Sequence, residues 1–169
     1  MNWSDAGQQG MAQFIHLFDA RHERSIRRGG IRVRRTKWRL DNGVFAHPQT
    51  ENPILNHQWM RELRRRQGLQ LLAARLRIPD TELVRVGKYN ATKLVLTAAA
   101  AIGVVREHSD PLGLEVIIPR AIAPHEILAI YRPPKVTGWR FYPAARGRKP
   151  CGCEYCQRGE PFSRRLRTD

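Results

Sequence analysis

Acidic residues are scarce in this chain: fifteen Asp and Glu stand against thirty Lys and Arg, a formal net charge of +15. A surface so short of negative charge is poorly suited to cationic partners and well suited to anionic ones. Cysteine is scarcer still, with three in 169 residues, all inside CGCEYC (151–156). That odd, clustered set excludes a disulfide framework. No apolar run is long enough to cross a bilayer, since KLVLTAAAAIGVV (93–105) is short and flanked by charge. The opening MNWSDAGQQG lacks the basic and apolar regions of a secretory signal, so a cytoplasmic chain with no membrane partner is expected. Nothing rich in Pro, Gly or Ser divides the chain. One domain over 13–143 is expected, between a flexible tail (1–12) and a basic, Cys-rich extension packed on it (144–169).

Arginine is what the chain has in quantity. Its flat fork pairs two-pronged with phosphate and stacks on bases, so an arginine excess points to nucleic acid, DNA or RNA. Codon bias toward arginine is the competing explanation and needs no ligand. The charge is clustered: residues 21–39 hold nine Arg or Lys against one Glu, and 61–66 and the tail from 140 to 169 form two more groups. Arg34, Arg35, Lys37, Arg39, Arg64, Arg65, Arg164 and Arg165 are the candidate nucleic-acid contacts.

Periodicity and punctuation predict an α+β fold, with twisted mixed or antiparallel sheets and short helices. QFIHLFD (13–19) reads as a first strand, and Asp19 caps a short helix that stops at Gly29-Gly30. Residues 32–42 are too polar and basic for a core element. GVFAH (43–47) is a short strand closed by Pro48. A helix follows from Pro53 with Leu55, Trp59 and Leu63 turned inward. In 70–79, Leu72, Ala74, Leu76 and Ile78 share one face and Arg75 and Arg77 the other. A strand over 82–89, an alanine-rich helix capped by Thr97, and strands at 114–119, in the second half of 125–132, and at 138–143 complete the reading.

Within LEVIIP the carboxylate of Glu115 stands against an apolar strand, where an isolated charge costs several kcal/mol (on the order of 3–5) unless it is paired. An outward-facing ion pair with one of the many arginines is the plain explanation. The order along the chain offers another: His16 on the first strand, Phe45 on the second, then Glu115. HLFDARHERSIRRGGI and EVIIPRAIAPHEI, so placed, resemble segments of the ADP-ribosyltransferase superfamily, closest to the DarT-type nucleic-acid ADP-ribosyltransferases. RNA 2′-phosphotransferases, of the same ancestral fold, match more weakly. The likeness spans about residues 13–131 and departs in two places: 45–53 offers His47 but no arginine, and Phe45 stands where a tyrosine is wanted.

The resemblance implies NAD as substrate, with Glu115 stabilising positive charge on the ribose as nicotinamide leaves. It implies His16 on a ribose hydroxyl, Phe45 against nicotinamide, and Arg21 or Arg24 on the pyrophosphate. It also implies that His16 and Glu115 meet in one pocket, that Glu115→Ala abolishes NAD consumption without unfolding the chain, and that a toxin with a neutralising antitoxin-like partner is a conceivable setting.

Cys151, Cys153 and Cys156 are spaced so that their thiolates can converge on one zinc ion. A fourth ligand is open: His47, His57, His108, His125, Glu154, Glu160 or a partner's group. Unligated thiols are the alternative. Three functions therefore stand side by side: an NAD-dependent ADP-ribosyltransferase acting on nucleic acid, a zinc-stabilised nucleic-acid-binding protein without catalysis, and an RNA 2′-phosphotransferase-like enzyme.

Overall fold

Alternating apolar residues build a single antiparallel sheet in the computed structural model, which describes residues 10–33, 42–50, 53–64, 70–89 and 91–133. The strands are β1 (Met11–Asp19), β2 (Val44–Pro48), β3 (Leu71–Pro79), β4 (Leu83–Lys88), β5 (Leu94–Thr97), β6 (Leu114–Ile118) and β7 (Ile127–Tyr131). They lie in the order β5-β4-β6-β2-β1-β3-β7. The helices are α1 (Glu23–Gly29), α2 (Pro53–Arg64) and α3 (Ala98–Glu107). The expected α+β class holds, and every described strand pairing is antiparallel. No helix among the described residues is long and apolar enough to cross a membrane.

One face of the sheet carries the main core. Phe14, Phe18, Leu76, Ile78, Val116 and Ile118 meet there, and Ile26 of α1 with Ala101 and Val105 of α3 close over them. Each fully buried aliphatic or phenyl side chain of this set contributes about 1.5–3 kcal/mol. The alternation expected for 70–79 is seen: Leu72, Ala74, Leu76 and Ile78 are buried, while Arg77 is exposed. The opposite face is covered in part by α2. Leu55 is buried as expected, but Met60 and Gln58 are more enclosed than Trp59 and Leu63. The reason is that α2 grips the start of β6 as well as the sheet: Gly113 N donates to Gln58 Oε1 at 2.7 Å, and Trp59 Nε1 donates to the Leu114 carbonyl at 3.0 Å.

Local chemistry ends the elements where the sequence indicates. Asp19 Oδ1 accepts from Arg21 N at 3.0 Å, although the first turn, Ala20–His22, is a 3-10 helix. Thr97 Oγ1 accepts from Ala100 N at the head of α3. Gly30 ends α1 at φ 74°, ψ −168°, a region essentially reserved for glycine. That exit lets Ile31 and Ile122 exchange two main-chain bonds of 2.9 Å, which docks α1 on the segment beyond β6. Arg120 reinforces the same region. It clamps Glu82 (2.8 and 2.6 Å) and Glu126 (2.8 and 2.6 Å), and the guanidinium holds the Glu126 carboxyl below the usual carboxylate range.

One expectation needs correction. Residues 11 and 12, expected in the tail, belong to β1: Met11 and Ala12 pair with Pro79 and Ile78, and Ala12 is buried. Residues 94–97, for which the sequence indicates no element beyond the Thr97 cap, form edge strand β5 on β4. The strand expected in the second half of 125–132 is β7, entered through a 3-10 turn, Pro124–Glu126. The expected strand at 138–143 and the extension 144–169 lie outside the described residues.

Candidate functional site

His16, Phe45 and Glu115 sit on β1, β2 and β6, which are neighbours in the sheet. The sheet is narrow here. β1 and β2 share only two paired positions, Phe14 with Pro48 and Ile15 with His47. Just past that ladder the imidazole of His16 bridges the strands, with Nδ1 donating to the Phe45 carbonyl at 2.7 Å. A carbonyl only accepts, so the proton resides on Nδ1 and Nε2 keeps a lone pair. Burial pulls the His16 pKa below its usual value, opposed in part by that backbone bond, so the ring is neutral near pH 7. It also stacks on Phe18, with centroids 6.1 Å apart.

Glu115 has a different partner. Its carboxylate lies 3.2 Å from Lys93 Nζ, and the two side chains are only 10% and 3% exposed. Lys93 is fixed by further bonds to the carbonyls of Lys88 (2.7 Å) and Ala91 (3.0 Å). The cross-strand partner of Glu115 is Gly87, and a Cβ there would stand 3.0 Å from Lys93 Cδ. A glycine directly opposite the acid thus leaves the lysine stem its path. The acid in the apolar strand belongs to a buried ion pair, and α2 bonds to Gly113 and Leu114, the two residues before it.

His16 and Glu115 do not converge. Ile15 pairs with His47 and with Arg75, so these three share a face and His16 takes the other. Val116 pairs with Ala46, which leaves Glu115 on the face of Phe45 and His47. Side chains alternate strictly along a strand, so the odd-numbered glutamate and the even-numbered histidine point to opposite sides of the sheet. The shared pocket expected from the sequence is corrected on that ground.

Phe45 is half-buried, opposite Ile117. Arg21 is 72% exposed and lies 3.4 Å from Asp19, and Arg24 is exposed on α1. Arg34, Arg35, Lys37, Arg39, Arg65, Arg164, Arg165 and the three cysteines, Cys151, Cys153 and Cys156, lie outside the described residues, and Arg64 is described only as the last residue of α2.

Two residues of consequence escaped the sequence reading. Lys93 belongs to the turn before β5, and no spacing rule links it to Glu115. Alternation puts Arg75 on the same face of β3 as Arg77, as observed, but does not indicate that it is half-buried at the border of a cavity. The only available signal was its position between Ala74 and Leu76 in an otherwise apolar run. Comparisons with protein-family models, curated proteins and solved structures found no match to this chain.

Proposed function

We propose that the protein binds nucleic acid through an arginine surface that the sheet and α1 present. The carrying observation is a stripe on the short helical segment after β1. Arg21, Arg24 and Arg28 are exposed at three- and four-residue spacing, while Ile26 on the other side is buried in the core. Arg32, just beyond Gly30, is exposed as well. The acids of this segment are engaged locally, Asp19 with Arg21 and Glu23 with Arg27. The net charge of +15 favours the same ligand, and in the sequence Arg34, Arg35, Lys37 and Arg39 continue the run.

Fluorescence anisotropy with labelled single-stranded DNA, duplex DNA and RNA tests this over a salt series. Binding should weaken steeply with salt, and replacing Arg21, Arg24 and Arg28 by Glu should lower the salt slope by about three, one for each lost phosphate contact. Binding of the triple variant that matches the parent chain ends the proposal.

A second reading, an ADP-ribosyltransferase-like protein using NAD, draws on a separate observation. The three strands of the resemblance are adjacent, in the order β6-β2-β1, and the neutral His16 keeps an acceptor nitrogen suited to a ribose hydroxyl. The ion pair of Glu115 with Lys93, on the other face, weighs against a catalytic pair. Incubation with NAD labelled on its adenylate half, with DNA, RNA and protein offered separately, decides it. Transferred label establishes the activity and its acceptor. Neither transfer nor nicotinamide release leaves binding alone.

A further inference from the structure

A cavity of about 220 Å³ opens on the sheet face opposite the main core, between β1, β2, β3, β7 and α2. Ile15, Leu17, Ala73 and Met60 form its apolar part, and His47, Arg75 and Tyr131 bring polar groups to it. Register explains the convergence. Ile15 pairs with both His47 and Arg75, and Arg75 pairs with Ala129, two residues before Tyr131. The Arg75 guanidinium lies 6.0 Å from the centroid of the Tyr131 ring, close enough for the ring face to attract it. Burial pushes the Tyr131 phenol up, with the charge of Arg75 opposing, so the hydroxyl stays protonated and able to donate.

Arg75 Nε is buried and has no hydrogen-bond partner among the described residues. A donor on a permanent cation that is withdrawn from water and left without an acceptor is unfavourable. A guanidinium edge is also the group best matched to a planar or tetrahedral oxyanion. The cavity falls below the roughly 300–1,000 Å³ of sites for drug-sized ligands, which restricts the occupant to about one ring.

We infer that this cavity binds a small aromatic anion, a single flat ring bearing a carboxylate or a phosphate monoester, whose oxyanion accepts from Arg75 Nε while the ring lies against Ile15, Leu17 and Met60. The site is distinct from the arginine stripe on α1 and does not depend on nucleic-acid binding.

The test uses the full chain with benzoate and phenyl phosphate as probes, benzamide and benzyl alcohol as neutral counterparts, and sodium chloride at matched ionic strength. Thermal melting and titration calorimetry read the result. At least one anion should raise the melting temperature by about 3 °C near saturation, with the neutral compounds and salt inactive. The anion that binds tighter names the headgroup. Arg75→Met, which keeps the stem and removes the stranded donor, should weaken binding at least tenfold and leave the ligand-free melting temperature equal or higher. Failure of both anions to bind, undiminished binding by Arg75→Met, or a lower ligand-free melting temperature in that variant would each overturn the inference.

Discussion

Glu115→Ala should lower stability by about 3–5 kcal/mol, read as the shift in urea midpoint at constant slope. The variant strands Lys93, whose side chain is 3% exposed and whose remaining bonds are to two carbonyls that cannot neutralise it. A single domain of this size has about 5–15 kcal/mol in total, so the variant would sit near the edge of folding. Replacing both partners, Glu115→Leu with Lys93→Met, should recover most of the loss, because two apolar side chains in this place remove the charge-burial problem altogether. The catalytic role implied by the resemblance requires the reverse, an intact fold and lost NAD turnover. An unchanged urea midpoint in Glu115→Ala would therefore reject the structural ion pair and return the carboxylate to candidate catalysis.

The two adjacent glycines at the end of α1 should respond in opposite directions. Gly30→Ala places a Cβ 2.0 Å from the Ile122 carbonyl oxygen, at a backbone position of φ 74° that L side chains rarely adopt. Strain of about 1–3 kcal/mol adds to an overlap of similar cost, so a loss of about 3 kcal/mol or more is expected. At Gly29 an added Cβ meets nothing within 4 Å, and the residue is helical. Gly29→Ala should be neutral or stabilise by about 0.5–1 kcal/mol through helix propensity. Thermal melts of the two variants suffice, and equal effects would mean that the Ile31–Ile122 bridge does not depend on the left-handed exit. The proposed nucleic-acid surface would be affected too, because that bridge docks α1, which carries Arg24 and Arg28, on the segment beyond β6.

Features carried by neighbouring residues were legible without coordinates. Asp19 and Thr97 as caps, Gly30 as an exit, the inward row Leu72, Ala74, Leu76 and Ile78, and the arginine run after β1 each depend on groups a few residues apart. The β5 edge strand was less legible, since Leu94 to Thr97 runs straight into α3 and its pairing with β4 decides its conformation.

What the sequence by itself determined is the α+β class, the punctuation of its elements and the sign of its surface charge. Local dihedral preferences and side-chain alternation are complete within a few residues, and composition needs no fold at all. Only the tertiary structure decided that His16 and Glu115 face apart, that Lys93 neutralises the acid, and that Arg75, His47 and Tyr131 border one cavity. Alternation has a period of two and is the same for either choice of face. Which strand lies beside which, and at what register, is settled by packing between segments tens of residues apart, and a shift of one residue would exchange every inward side chain for an outward one.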